Sequence, residues 1–224
     1  MDPGLNQLLK WSVENTTANP NADSTPPTRD LNPDAINSLF GGPSDADLMR
    51  ASMSAITSTS SELSLDDKII AFDNFEQLIE NLDNANNLEP LALWTPLLDC
   101  LRHEEKELRR MAAWCVGTAV QNNVTSQERL LAMGGVEKLL HVVLGDNDTT
   151  ADEVNKEDVS VRRKAIYALS SAVRNYQPAM DVLTGELEKR NWDGMAEKPD
   201  AADMDAVDDI IGKLRDGVGK DIAS

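Results

Sequence analysis

The chain has 224 residues and a formal net charge of −18, from 39 acidic and 21 basic residues. Phosphate groups and anionic lipid headgroups repel so acidic a chain, which argues against a nucleic-acid-binding or membrane-surface protein. No apolar run approaches the length of about 18 residues typical of a membrane span, and no secretory signal pattern opens the chain. Cys100 and Cys115 form no CxxC pair, so we expect a soluble cytoplasmic protein without structural disulfides.

Residues 1–62 form a polar leader that carries six of the ten prolines. Spacing and capping residues predict a short amphipathic helix over residues 2–15, a disordered stretch over 15–29, and short helices over 31–42 and 44–56. The apolar stripe of the first helix consists of Leu5, Leu8, Leu9 and Val13, beside Trp11. We interpret the leader as short helices on a flexible tether, which act either as a solubilising spacer or as a docking element.

Three later segments repeat the same pattern at offsets of 41 and 53 residues. They are residues 67–81, 108–122 and 161–175, and each ends on asparagine. A period near 42 residues is typical of armadillo or HEAT repeats. The acidic loop 145–158 accounts for the longer second interval.

Two shorter helices are predicted between the repeated segments, which favours armadillo over HEAT repeats. One pair is QERLLAM and VEKLLHVVL, and Gly134 or Gly135 ends the first of them. LWTPLLDCL aligns with the second at an offset of 42 residues. The predicted fold is therefore all-α, an armadillo-like helical-repeat solenoid over residues 63–192 with a partly disordered N-terminal leader.

The repeat pattern weakens after Asn175. One or two short helices are predicted to follow, then a loop over residues 193–203 and a final amphipathic helix over 204–218. Its inward face is predicted to consist of Val207, Ile210, Ile211 and Leu214. Because a terminal repeat needs a polar outer face, residues 193–224 are interpreted as a linker and a capping helix.

No catalytic motif is present in the sequence. His103 and His141 are the only histidines, and neither stands at a metal-ligand spacing. Walker, GxGxxG and GxSxG motifs are absent. Cys115 falls on an apolar helical stripe, where a free cysteine is usually inert packing. We expect no catalytic residue, no metal and no cofactor.

Equivalent positions of the three segments form two columns along one face of the solenoid. The first column is Asn81, Asn122 and Asn175. The second is Lys68, Arg109 and Arg162, with Arg110 and Arg163 adjacent. Either the asparagines cap helices and the arginines pair with neighbouring acids, or both columns bind a partner protein through a groove.

Several long stretches resemble one known family closely. They are LLKWSVENT at 8–16, AFDNFEQLIENLDNANNLEPLALWTPLL at 71–98, RRMAAWCVGTAVQNN at 109–123 and RRKAIYALSSAVRNYQPAM at 162–180. The chain is similar there to the armadillo-type nucleotide exchange factors of 70-kDa heat-shock chaperones, of the short fungal type called Fes-one. The resemblance implies a monomeric, non-enzymatic protein that clasps one lobe of the chaperone's ATPase domain and weakens ADP binding.

The resemblance also implies particular binding residues. It points to the concave third helices and to the stretch 82–87, which contains Asn84, Ala85, Asn86 and Asn87. Ala85 is expected so close to the partner that Ala85→Arg abolishes binding without unfolding the protein. The leader is expected to compete with client polypeptide through Leu5, Leu8, Leu9 and Trp11, with the patch 36–40 second. The alternatives are an armadillo adaptor that binds an extended peptide and, third, an enzyme.

Overall fold

The computed structural model describes residues 42–145, 157–190, 192 and 198–223, with side chains given up to residue 218. The chain divides into two compact units, Met1–Ser44 and Asp45–Ser224. Predictions for the leader up to residue 41 lie outside the described residues. These are the helix over 2–15, the disordered stretch 15–29, the patch 36–40, and Leu5, Leu8, Leu9 and Trp11.

The described residues contain ten α-helices and no strand, which confirms the all-α prediction. In chain order they are α1 (Asp45–Ile56), α2 (Leu65–Ile79), α3 (Leu82–Asn87), α4 (Trp94–Asp99), α5 (Lys106–Val120), α6 (Val124–Ala132), α7 (Gly135–Leu144), α8 (Val159–Val173), α9 (Gln177–Lys189) and α10 (Met204–Ala223). A 3-10 turn at Cys100–Arg102 follows α4.

Helix α1 belongs to the folded second unit. Met49, Met53 and Ile56 follow one another at helical spacing and are buried, and α1 packs on α2. The prediction that this segment is part of a flexible tether is wrong, because the apolar stripe needs a neighbouring helix to cover it. The compact unit accordingly begins at Asp45 and not near residue 63.

The three repeated segments form the long helices α2, α5 and α8, which we call the third helices. Each is 15 residues long, and their bounds preserve the offsets of 41 and 53 residues. Helix α5 packs against α2 on one side and α8 on the other. Small residues permit the close approach, since a Cβ at Gly117 would lie 2.5 Å from the Tyr167 ring and 3.1 Å from the Ala168 backbone.

Two shorter helices precede each of the last two third helices, as the armadillo pattern predicts. Helices α3 and α4 precede α5, and helices α6 and α7 precede α8. Gly134 makes the sharp turn between α6 and α7 with a φ of 64°. The aligned leucines of α4 and α7 are all buried; they are Leu97, Leu98, Leu139 and Leu140.

A buried side chain ties one repeat to the end of the next third helix. The Gln127 Nε2 of α6 donates hydrogen bonds to the carbonyl oxygens of Ser171, Ala172 and Arg174, at 3.0, 3.1 and 3.0 Å. These bonds satisfy carbonyl groups that have no partner within α8 at its C-terminus. Gln127 therefore helps to set where α8 ends.

Helix α9 is a single helix, and α10 packs on α8. Val207, Ile210, Ile211 and Leu214 are all buried, which confirms the predicted inward face. An ion pair between Arg174 and Asp208 joins α10 to the end of α8. Helix α10 has 20 residues, yet neither it nor any other described helix combines the length and apolarity that a membrane span requires.

Candidate functional site

An open groove of about 460 Å³ runs across the C-terminal halves of the third helices. We call it the third-helix groove. Its lining residues are Glu76 and Glu80 of α2, Trp114 and Thr118 of α5, Gln121 and Asn122 just beyond α5, and Tyr167 of α8. All three third helices contribute, so the groove exists only because the repeats stack side by side.

The aromatic wall of the groove follows from the repeat register. Trp114 and Tyr167 occupy equivalent positions of α5 and α8, and the equivalent residue of α2 is Asp73. Gly117 leaves the space that the Tyr167 ring needs. Neither aromatic residue was among the candidates from the sequence. Comparing every aligned position of the repeats, including those where the residue types differ, would have found them.

Polar contacts hold the groove in shape. Thr118 Oγ1 donates to Glu76 Oε1 at 2.7 Å, and Tyr167 Oη donates to Gln121 Oε1 at 3.3 Å. The first bond joins α5 to α2, and the second joins the end of α5 to α8. The groove walls are therefore linked to one another across the helices.

A lysine rests on the aromatic wall. Lys164 Nζ lies 4.0 Å from the Trp114 ring centroid and 5.8 Å from that of Tyr167. Burial lowers the pKa of Lys164, with a further contribution from the positive charge of Arg110, while Glu76 opposes the shift. The quadrupole of an indole ring attracts a cation in this position.

The asparagine column lies at the exposed C-terminal ends of the third helices. Asn122 and Asn175 adopt the left-handed conformation, with φ of 52° and 55°, which ends α5 and α8. Asn81 instead accepts from Asp83 N and begins α3. All three are exposed, and only Asn122 lines the third-helix groove. Their role in partner binding stays a prediction.

Two members of the basic column bind within the protein. Arg109 makes a bidentate pair with Glu157, with Nε and Nη2 each 2.7 Å from a carboxylate oxygen, and Arg109 Nη1 also donates to the His103 carbonyl at 2.6 Å. Arg162 is 4% exposed, and its Nε donates to the Val143 carbonyl at 2.6 Å. These contacts favour the structural interpretation for Arg109 and Arg162.

The other basic candidates stay closer to solvent. Lys68 and Arg110 are half-buried, and Arg163 is exposed. Arg110 lies close enough to Lys164 to affect its titration, which places it near the groove. Partner binding through these three residues stays a prediction.

The stretch 82–87 forms helix α3 and borders a second cleft. Asn84 is buried, and its Nδ2 donates to Asp45 Oδ2 at 2.8 Å and to the Leu78 carbonyl at 3.0 Å. Ala85 is only 2% exposed. The prediction that Ala85→Arg leaves the fold intact conflicts with this burial, because a large charged side chain would have to displace packed neighbours.

This second cleft, which we call the Ala85 cleft, has a volume of about 360 Å³. Its lining residues are Ala85, Asn86, Glu89, Trp94, Thr125, Ser126, Glu128, Arg129 and Ala132. Asn86 Oδ1 is buried without a hydrogen-bond partner in the described part of the chain, and Glu89 pairs with Arg129. Asn87 is half-buried and does not line the cleft.

The cysteine thiols are buried, and the His103 ring accepts a hydrogen bond from the backbone. Burial raises the pKa of Cys100 to about 11 and raises that of Cys115 well above its ordinary value, so both thiols stay protonated near neutral pH. His103 Nδ1 accepts from Glu105 N at 3.0 Å. Within the described ranges, no group of three or more His, Cys, Asp or Glu side chains could hold a metal ion.

Comparison with known proteins gives consistent matches along the chain. Residues 5–88 match the family model described as nucleotide exchange factor Fes1, and residues 84–184 match the SIL1/FES1/HPBP1 C-terminal domain. The Hsp70 nucleotide exchange factor FES1 of Gibberella zeae is 59% identical over 223 residues, which cover 98% of this chain and 99% of that protein. The corresponding protein of Neurospora crassa is 50% identical over 96% of this chain and 98% of its own length. That of Saccharomyces cerevisiae is 42% identical over 77% of this chain and 57% of its own length.

Proposed function

This chain belongs to the Fes1 family of Hsp70 nucleotide exchange factors, and from that premise we propose that it is a non-catalytic co-chaperone. It binds the ATPase domain of a 70-kDa heat-shock chaperone, accelerates ADP release and promotes release of client polypeptide. The observation that carries the proposal is the 59% identity to a named exchange factor over nearly the full length of both chains. The two free, buried cysteines support action in the reducing cytoplasm.

The exchange activity follows from binding linkage. ADP bridges the two lobes of such an ATPase domain, as the family resemblance implies. A partner that binds the opened arrangement more tightly must lower ADP affinity by the same factor by which ADP lowers its own. An exchange factor that acts in this way therefore needs a well-ordered binding surface and no reactive group.

Two surfaces support chaperone binding. The third-helix groove offers carboxylates, amides and aromatic rings held in place by bonds between helices. The Ala85 cleft lies between α3, α4 and α6 and contains the candidate residues Ala85 and Asn86. We assign the chaperone contact to these surfaces, with Lys68, Arg110 and Arg163 as flanking cations.

A stopped-flow measurement tests the function. Fluorescent ADP is bound to a fungal cytosolic 70-kDa chaperone and chased with ATP, with and without the full-length protein. We expect the ADP off-rate to rise and to saturate with protein concentration. An unchanged off-rate together with affinity for extended peptides would contradict the proposal and favour the peptide adaptor.

We also propose that the leader releases clients. Leu5, Leu8 and Leu9 belong to the apolar stripe that the sequence predicts for residues 2–15, and Trp11 lies beside it, which gives the segment the apolar side chains of a client-like sequence. Replacing these four residues with serine in the full-length chain should leave ADP release unchanged and slow the dissociation of a labelled client peptide. A client off-rate equal to that of the unaltered protein would rule out the release role.

A further inference from the structure

The third-helix groove contains a buried carboxylate with an unused oxygen. Glu76 is 6% exposed, and its Oε1 accepts the 2.7 Å hydrogen bond from Thr118. Its second oxygen has no hydrogen bond and no ion pair with any residue in the described ranges. This oxygen is not among the fully buried atoms without a partner, so it remains accessible from the groove. A carboxylate that has lost most of its hydration is stabilised when a cation or further donors meet it.

The carboxylate of Glu80 adds a second negative charge to the groove, so a bound cation would be stabilised further. Glu80 follows Glu76 by one helical turn, is exposed and lines the same groove. Like charges four residues apart on a helix repel each other. No Lys or Arg of the described chain lies within ion-pair distance of either carboxylate.

The aromatic residues that line the same groove attract a cation as well. Trp114 already holds the Lys164 ammonium 4.0 Å from its ring centroid, and Tyr167 lies beside it. Lys164 is near enough for Glu76 to oppose the lowering of its pKa, but the two groups form no ion pair within the described residues, so the carboxylate can still accept a second cation. Carboxylates and aromatic rings that line one groove form a receptor for a positively charged planar group.

We propose that the third-helix groove receives an arginine side chain from the chaperone's ATPase domain. The guanidinium pairs with Glu76 and Glu80 and packs against the aromatic wall. Arginine fits better than lysine because its planar fork offers five donors, which can reach two carboxylates and the Asn122 amide oxygen together. This inference rests on the proposed function, since it names the chemistry by which that partner is recognised.

Calorimetric titration of the full-length protein into the nucleotide-free chaperone tests the carboxylates, because no bound ADP opposes the binding there. Glu76→Gln keeps the shape and an acceptor for Thr118 but removes the charge, and we expect affinity to fall about 30-fold, as at a central hot spot. Glu80→Gln, on an exposed residue, should cost about 5-fold without any risk to the core. Asp99→Asn is the matched control, because it removes the same charge from an exposed residue outside the groove.

A double-mutant cycle then identifies the arginine. Exposed arginines of the ATPase domain are replaced singly with alanine and titrated against the unaltered protein and against Glu76→Gln. One replacement should weaken binding to the unaltered protein about 30-fold and binding to Glu76→Gln less than about 2-fold. Lysine at that position should restore only part of the affinity.

Three results would overturn the inference: both groove variants bind like Asp99→Asn, no arginine couples to Glu76, or lysine replaces the arginine without loss. If the unaltered protein nevertheless accelerates ADP release, these results contradict only the inference that the groove binds an arginine. If it neither binds nor accelerates release, the proposed function fails as well.

Discussion

The two ends of the third helices carry equally regular columns of residues but use them differently. At the N-terminal ends, Arg109 and Arg162 are occupied by bonds to Glu157 and to the Val143 carbonyl. At the C-terminal ends, the asparagines are exposed and the third-helix groove opens to solvent. A repeated residue thus identifies an equivalent place in the fold, and only its contacts show whether that place is available to a partner.

Removing the Arg109 side chain should lower the free energy of unfolding more than any other substitution considered below. The Glu157 side chain is 0% exposed and that of Arg109 is 16% exposed, so Arg109→Ala removes the bidentate guanidinium from a buried carboxylate. We expect the free energy of unfolding to fall by about 3 kcal/mol, measured by urea denaturation at pH 7.

Lys106→Ala is the control for Arg109→Ala, because it breaks the exposed neighbouring pair with Asp158. Its stability should stay close to that of the unaltered protein. Equal losses for the two variants would mean that the N-terminal ends hold no special structural pair.

Ala85 and Ala132 offer a matched test of the Ala85 cleft. Both line the Ala85 cleft, but Ala85 is buried and Ala132 is exposed. Ala85→Arg should lower the free energy of unfolding by about 2 kcal/mol, while Ala132→Arg should change it by less than about 0.5 kcal/mol.

Both arginine variants should weaken chaperone binding, as measured by calorimetry beside thermal unfolding. Ala132→Arg is the informative one, since it fills the cleft without disturbing the core. Unchanged affinity in a folded Ala132→Arg protein would remove the cleft from the contact surface.

Gln127→Ala should loosen the C-terminal end of α8. It removes the amide that donates to two buried carbonyl groups and one part-buried one, and we expect the free energy of unfolding to fall by about 1.5 kcal/mol. Hydrogen exchange should show faster opening near Arg174 before global unfolding. Gln77→Ala, on an exposed residue of α2, is the control, and equal protection in both variants would refute the capping role.

Among the destabilising substitutions, that of Asp158 should change the free energy of unfolding least, and this change should depend most strongly on pH. It accepts from Ser160 N and Oγ at the start of α8, and these bonds, with Lys106, lower its pKa from 3.8 to about 2. Because the pKa is lower in the folded state, the stabilisation is present above about pH 4 and disappears as the pH falls toward 2.

Asp158→Ala should therefore cost about 1 kcal/mol at pH 7, as expected for an N-cap, and progressively less below pH 4. Urea denaturation at a series of pH values measures the difference from the unaltered protein, with Glu62→Ala as a control on an exposed residue. A difference that stays constant down to pH 2.5 would contradict the assigned capping charge.

The helices could be predicted from the sequence because their pattern is local. The Ser44 cap and the acidic first turn predicted a helix over 44–56, but not that α2 covers it. The alignment at 41 and 53 residues predicted the three third helices, and the apolar spacing within 204–218 predicted the inward face of α10. It missed the aromatic wall, because the register pairs Trp114 and Tyr167 with the dissimilar Asp73.

The sequence by itself determined the repeat, the all-α class and which residues face inward, since helical geometry repeats every few residues along the chain. Only the tertiary structure decided which polar residues are occupied. Arg109 meets Glu157 across 48 positions, and Gln127 reaches carbonyls 44 to 47 positions away. Such pairs depend on how whole helices stack, and hydrogen bonds form only at short range and in the right direction.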